Sequence, residues 1–236
     1  MAWFLTTEYK NRETGEDWAP ALVAMPAEVE RFRAIRVQLG KDIEARCMAG
    51  SADPTSVDYP WFGPSELPSL LEGSRFPMPE RPFTARLKER QGSLVDIINS
   101  GLGTWAISSR VIELIEAIEP GVHQYLPFQL LQPDGSLHGD QRWMLNVCAR
   151  AEVVGVEKSN VQWMAPPLNF RFMNAPGERR LIVKAAEAAK RALWYEWRYH
   201  DAQGTFTSDA LWAALQSAGV RGWEPHFAFP HHMKEV

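Results

Sequence analysis

Cysteine is scarce in this sequence, with only Cys47 and Cys148 among 236 residues. Two cysteines cannot build a disulfide scaffold, and neither lies at the CxxC or Cys/His spacing that is typical of a zinc site. Cysteines of this kind usually pack as small apolar side chains. The sequence therefore predicts no disulfide-stabilised fold, no metal site and no bound cofactor.

Long apolar runs and a strong excess of charge are also missing. No window reaches the roughly 18 uninterrupted apolar residues that a membrane-spanning helix needs. The first seven residues lack the basic region of a secretory signal. The formal net charge of −4 gives no electrostatic footprint for nucleic acid. These absences predict a cytoplasmic protein that binds neither membranes nor nucleic acid.

Charge is nevertheless unevenly distributed along the chain. Residues 91–160 carry eight acidic and four basic side chains, a net charge of −4, whereas residues 161–200 carry seven basic and three acidic ones, a net charge of +4. The simpler interpretation is that these two regions face each other within one fold. The alternative is that the acidic region meets a basic partner.

Residues 1–89 predict a strand, a helix and an irregular stretch. Residues 3–9 are rich in aromatic and β-branched types, which favours an opening strand. Pro26 suits the first position of a helix that runs to Leu39 and ends at Gly40. Seven prolines between residues 52 and 82 exclude long helices and central strands. The aromatic residues of this stretch indicate an ordered wrap across another surface rather than a free linker.

Residues 90–228 alternate between helical and strand patterns. A helix over residues 109–119 follows Ser108 and Ser109, either of which can cap it. Two β-like runs, residues 123–131 and 142–149, flank Asp134-Gly135, a hairpin signal. The remaining predictions are an alanine-rich helix over residues 184–191 with a Glu187–Arg191 pair, a strand over residues 193–200, and a helix from Ser208-Asp209 to Gly219.

These elements together predict an α+β fold with an antiparallel sheet, hairpins and packed helices, preceded by the Pro-rich irregular segment. The predicted organisation is an N-terminal segment at residues 1–89, a domain at residues 90–228 and a tail at residues 229–236. We find no internal repeat.

Groups that could support catalysis occur, but without a recognisable arrangement. Ser109, His123 and His138 could on paper form a hydrolytic centre with Asp96. No GxSxG elbow or oxyanion-hole signature accompanies them, so chance co-occurrence explains the set better. We assign no catalytic residue, and a small hydrolase of unknown substrate remains the enzymatic alternative.

Two groups of residues are candidates for contacts with a partner. Glu113, Glu116 and Glu119 lie three residues apart on one helical face, where a solvated outer surface is the first interpretation and contact with a partner the second. The aromatic residues of the Pro-rich stretch are the other candidate patch, because loops often carry recognition. Its members are Tyr59, Trp61 and Phe62.

The order of several short motifs resembles the immunity protein family eleven of bacterial polymorphic toxin systems. Each motif is weak alone, and their order and spacing over residues 90–225 carry the resemblance. The motifs are LVDIINS at 94–100, WAISSRV at 105–111, GVHQYLPF at 121–128, WMLNVC at 143–148, VVGVEKS at 153–159, LWYEWR at 193–198, FTSDAL at 206–211 and AGVRGW at 218–223.

The resemblance implies a non-enzymatic protein, encoded beside a toxin, that binds the toxin and blocks it. Many such toxins are nucleases, whose clefts are positive because phosphates are negative. An acidic surface could occupy a cleft of that kind. A third possibility, beside this and the hydrolase, is a non-catalytic assembly or scaffold subunit, which a large self-complementary apolar patch would support. The oligomeric state stays open.

Overall fold

A computed structural model describes residues 2–7, 22–48, 75–165, 169–172, 181–196, 205–225 and 234–235. The helices in these ranges are α1 (Pro26–Met48), α2 (Ser109–Ile118), α3 (Ala185–Ala188) and α4 (Asp209–Ser217). The strands are β1 (Ala2–Thr7), β2 (Leu22–Ala24), β3 (Phe83–Leu87), β4 (Ile97–Asn99), β5 (Trp105–Ile107), β6 (Gln124–Leu131), β7 (Arg142–Asn146), β8 (Arg150–Ala151), β9 (Val161–Ala165), β10 (Asn169–Phe172), β11 (Ile182–Val183), β12 (Leu193–Glu196), β13 (Thr205–Ser208), β14 (Trp223–Pro225) and β15 (Lys234–Glu235).

The larger sheet has six strands in the order β2-β3-β6-β7-β5-β4. All its neighbouring strands are antiparallel except β3 and β6, which run parallel. The predicted hairpin forms from β6 and β7, with Tyr125 opposite Leu145 and Pro127 opposite Trp143. Its turn uses Gly135 at a φ of 85°, a conformation that glycine adopts without strain.

The second sheet has five strands in the order β14-β1-β13-β12-β8. The opening strand of the chain therefore pairs with strands from its last third. Only the β12–β8 pairing of this sheet is parallel. Two further pairs, β9 with β10 and β11 with β15, lie outside both sheets. Separate helices and mostly antiparallel strands confirm the predicted α+β class.

The six-stranded sheet buries apolar side chains on both faces. Period-two alternation sends Met144 to one face and Leu145 to the other. The first face packs under α1, where the Phe32 ring stacks on Phe76 at 5.3 Å and meets Phe83 edge-on at 5.5 Å. The second face packs against apolar residues of α2, α4 and β12, which are Val111, Ile115, Leu211, Leu215, Leu193 and Tyr195.

Several local predictions need correction. Helix α1 continues past Gly40 to Met48, and a hydrogen bond of 2.8 Å from Gln38 to Asp42 spans the glycine. Ser108 is the N-cap residue of α2, but its hydroxyl donates to Asp96 Oδ1 at 2.9 Å instead of accepting from the helix. By contrast, Ser208 caps α4 as predicted by accepting from the Leu211 amide.

The alanine-rich helix is shorter than predicted, because α3 covers only four residues. The predicted Glu187–Arg191 pair does not form. Glu187 instead accepts from Lys190 at 2.8 Å, and Arg191 reaches across to Glu119 at 3.1 Å. The helix stops before Arg191, so the spacing of four residues no longer places the two side chains side by side.

Most of the Pro-rich stretch lies outside the described residues. The predicted boundary at residue 90 stays a prediction, although strands from both sides of it share the two sheets: β2 and β3 pair within the larger one and β1 within the smaller one.

No helix within the described ranges is both long enough and apolar enough to cross a lipid bilayer.

Candidate functional site

The three glutamates of α2 lie in three different environments. Glu113 is exposed. Glu116 is half-buried and accepts from the Tyr125 hydroxyl at 2.6 Å and from the Gly121 amide at 2.7 Å. Glu119 is only 7% exposed. A solvated outer face is therefore the correct description of Glu113 alone, and it is wrong for Glu119.

Glu119 ties the end of α2 to the start of β12. Its carboxylate accepts from the Ala192 amide at 2.7 Å and from Arg191 at 3.1 Å, and His123 Nε2 lies 3.4 Å away. Burial alone would raise the pKa of Glu119, but His123, the Ala192 amide and Arg191 hold that pKa below its ordinary value. Glu119 is thus an ionised part of the interior.

Among the described residues, the basic and acidic regions of the chain meet at two ion pairs. Arg191 pairs with Glu119, and Lys184 Nζ lies 3.6 Å from Glu152 Oε1. These contacts agree with the simpler interpretation of the opposite net charges. Part of the acidic excess is consequently neutralised inside the fold rather than offered to a partner.

Replacing Glu119 by glutamine is expected to lower the free energy of unfolding by about 1–3 kcal/mol. Glutamine keeps a carbonyl for the Ala192 amide but removes the charge that faces Arg191. The exposed Glu113→Gln variant is the matched control and should change stability by less than about 0.5 kcal/mol. Urea unfolding of both variants measures the difference, and equal midpoints would contradict the structural role of Glu119.

The residues of the hydrolase alternative do not form a relay. Ser109 is exposed on the first turn of α2, whereas His123 and His138 are buried. His123 Nδ1 accepts from the Cys148 amide at 3.3 Å, and His138 Nδ1 accepts from the Asp140 amide at 3.1 Å. Within the described chain no hydrogen bond joins Ser109 to either histidine. We therefore find no aligned nucleophile and base at these residues.

Other reactive groups are equally unremarkable in their geometry. Burial raises the pKa of the Cys148 thiol to about 11, so it stays protonated near neutral pH. No set of three or more His, Cys, Asp or Glu side chains in the described ranges is placed to hold a metal ion.

The aromatic candidates for contact with a partner, in the Pro-rich stretch, lie outside the described residues. These are Tyr59, Trp61 and Phe62.

A solvent-facing depression of about 260 Å³ lies beside the β6–β7 hairpin. We call it the hairpin depression. Pro127 and Trp143 line it as a directly opposed cross-strand pair, and both side chains are half-buried. Leu137 stands on its rim with 64% of its surface exposed. Half-buried tryptophan beside an exposed leucine gives this surface an apolar character.

The loop between β6 and β7 that walls the hairpin depression is held firmly. His138 donates its amide to Leu130 at 2.8 Å, and its ring accepts from Asp140. Arg142 is buried and donates to the carbonyl oxygens of Val95 and Asp96 at 2.8 Å. The His138 bonds fix the loop against β6, and the Arg142 bonds join its far end, where β7 begins, to the chain before β4. A surface fixed in this way binds a partner with little loss of conformational entropy.

Asp140 provides the accessible charge of the hairpin depression. Its side chain is 34% exposed, while that of Arg142 is 3% exposed. Asp140 Oδ2 accepts from Arg142 at 3.1 Å and from the Leu94 amide at 3.2 Å. Oδ1 lies 4.0 Å from His138 Nδ1, too far for a hydrogen bond, and accepts none from the described residues, so it can accept from an outside donor.

Sequence reasoning did not select Leu137, Asp140 or Trp143. A usable signal was nevertheless present, because Leu137 is a large apolar residue within an otherwise polar connecting loop. In the sequence, Trp143 stands out only as the first residue of the WMLNVC motif. Trp143 is the second residue of β7 and is absent from the apolar cluster that packs against α2 and α4, which agrees with its half-exposure.

Comparison with known proteins assigns the chain to a protein family. No curated protein matches it. A family model described as Immunity protein family (Imm11) matches residues 30–228 of the 236. The match includes the six-stranded sheet from β3 onward, all four helices apart from the first turn of α1, and the hairpin depression. This chain belongs to the Immunity protein family (Imm11).

Proposed function

We propose that this protein binds a cognate bacterial toxin directly and blocks it, making and breaking no covalent bond. The match of residues 30–228 to the immunity family is the observation that supports this function most strongly. Such a protein protects the cell that produces the toxin, and we place it in the cytoplasm, where a delivered toxin would act.

The physical character of the surface is consistent with inhibition by binding. Tight complexes depend on a few aromatic or charged anchors held in a preorganised frame. The hairpin depression offers Trp143 and Asp140 in such a frame. Glu113 is the exposed member of the α2 row and remains a candidate contact, as do the aromatic residues at 59, 61 and 62.

We further propose that the toxin presents a basic face, as a nuclease does where it binds phosphates. After the internal pairs are formed, residues 91–160 retain an exposed carboxylate at Glu113 and a half-buried one, 34% exposed, at Asp140. Charge reversal at an exposed contact mainly slows association, and this effect on the association rate becomes larger as the ionic strength falls. Glu113→Lys is therefore expected to slow complex formation if α2 faces the toxin.

Co-expression tests the function directly. The C-terminal domain of the toxin encoded beside this gene should arrest a bacterial host, and this protein should restore growth while leaving arrest by an unrelated toxin unchanged. Failure to restore growth, with both proteins soluble, would contradict the proposal.

Titration separates binding from catalysis. With purified toxin and this protein, inhibition by binding saturates at a fixed molar ratio. An enzyme that modified the toxin would instead inactivate an excess of it with time. Progressive inactivation by a small fraction of the protein would favour the hydrolase alternative.

A further inference from the structure

The geometry points to a specific occupant for the hairpin depression, and the inference rests on the proposed function. We infer that the depression receives one basic side chain of the toxin. The aliphatic stem of that toxin side chain lies on Trp143 and Pro127, beside Leu137, and its cationic head reaches Asp140 Oδ1.

Size argues for a single side chain. A volume of about 260 Å³ is below the ~300–1,000 Å³ of pockets that enclose small-molecule ligands. It is sufficient for one long side chain of a protein partner. Protein interfaces commonly concentrate their affinity in one such anchor, and arginine is among the residues most often found there.

The negative charge of Asp140 indicates that the bound toxin side chain is positively charged. The accessible oxygen is a carboxylate oxygen of Asp140, and the arginine that neutralises it is buried and bonded to backbone carbonyls. An anionic side chain would face this carboxylate without an accessible counter-charge. A cation instead completes the unfilled acceptor Oδ1, and its partial shielding from water strengthens the pair relative to a fully exposed one.

Apolar lining decides the type of side chain. Lysine and arginine carry long aliphatic stems that cover apolar surface while the charged head stays polar. Tryptophan is the best aromatic partner for a cation, and a guanidinium also stacks flat on its ring. Trp143, Pro127 and Leu137 supply the apolar surface, and Asp140 supplies the polar end. Arginine satisfies both requirements.

Affinity measurements on the complete chain test this site, using the C-terminal domain of the adjacent toxin as the ligand. Trp143→Ala should weaken binding about 30-fold or more, and Trp143→Phe less because a ring face remains. Asp140→Asn should weaken it about 10-fold, most strongly at low ionic strength, because asparagine keeps an oxygen for Arg142 but loses the charge.

Matched controls are available nearby. Leu137→Ser removes the apolar rim of the depression and should weaken binding about 5-fold. Met78 is 66% exposed and lies outside the depression, so Met78→Ser is the control for Leu137→Ser. Asp134 is an exposed carboxylate of the same hairpin, paired with Arg90 at 2.6 Å, so Asp134→Asn controls for Asp140→Asn. Both control variants should bind within about 2-fold of the parent. Urea midpoints establish that each variant is folded.

The outcomes separate the site from the function. A parent protein that does not bind the toxin would overturn both. A parent that binds, with Trp143→Ala and Asp140→Asn binding as tightly as the Met78→Ser and Asp134→Asn variants, would leave the function and overturn the site. A double-mutant cycle identifies the occupant: Asp140→Asn should be non-additive with alanine at one toxin arginine or lysine. Coupling to an acidic or apolar toxin residue instead would overturn the basic occupant.

Discussion

Gly222→Ala is expected to destabilise the folded state by several kcal/mol, enough to unfold a domain of low stability. A Cβ built at Gly222 would lie 1.9 Å from the carbonyl oxygen of Ile97 and 2.8 Å from its carbonyl carbon. Distances below 3.0 Å do not occur for real Cβ atoms. The obstructing atoms are backbone atoms of β4, whose hydrogen bonds to β5 fix them, so they cannot turn aside as a side chain would.

Backbone conformation adds to the effect of this clash. Gly222 has a φ of 115°, which side-chain-bearing residues rarely adopt and which is worth about 1–3 kcal/mol of strain. The preceding carbonyl of Arg221 accepts from the Ile97 amide at 3.1 Å, so moving the chain apart also breaks a hydrogen bond. Together with overpacking of about 1–3 kcal/mol or more, the loss reaches the lower part of the ~5–15 kcal/mol stability of a domain.

Gly219→Ala is the matched control. Gly219 also has a positive φ, 65°, but no atom lies within 4 Å of its built Cβ. Alanine there should lower the free energy of unfolding by about 1 kcal/mol and leave the fold intact. Circular dichroism, near-ultraviolet tryptophan signals and urea unfolding distinguish the two. A Gly222→Ala protein as stable as Gly219→Ala would refute the close approach.

Elements specified by short-range patterns were predictable. The Asp134-Gly135 turn between two apolar runs predicted the β6–β7 hairpin, and Ser208 predicted the start of α4, because both signals act over a few residues. The partner of Gly222 was not predictable in this way. Ile97 lies in a distant part of the sequence, and only the folded chain brings it against Gly222.

The α2 glutamates show a second limit. Their spacing predicts one shared face, but Glu119 turns inward because the amide of Ala192 and the guanidinium of Arg191 lie beside the helix end. Nothing local to α2 reveals those groups. The hairpin depression is not predictable from local sequence for the same reason, since its lining combines Pro82 with residues of β6, β7 and the loop between them.

Glu196 is a buried acid whose protonation should control stability at alkaline pH. It lies on β12, is 5% exposed, and its Oε2 accepts from the amides of Val153 and Val154 at 2.7 and 2.9 Å. Desolvation outweighs these bonds and raises its pKa from 4.5 to about 8; the nearby charges oppose each other, with Glu152 raising the pKa and Lys184 lowering it.

The sign of the pH dependence follows from this raised pKa. Between about pH 4.5 and 8 the folded protein holds a proton at Glu196 that the unfolded chain releases. The contribution of the neutral acid to stability is therefore complete below pH 4.5 and is lost as the pH rises through about 8. The full difference is about 3–5 kcal/mol.

Glu196→Gln should remove this dependence, because glutamine resembles the protonated acid and keeps a carbonyl for the two amides. Urea unfolding from pH 5 to 9 should find the variant within about 1–2 kcal/mol of the parent at pH 5 and more stable than it at pH 9. Glu187→Gln is the control, since Lys190 lowers the pKa of Glu187 and keeps that exposed carboxylate ionised across the range. A difference between Glu196→Gln and the parent that did not change with pH would mean that Glu196 is ionised in the fold, held by the Val153 and Val154 amides strongly enough to offset its burial.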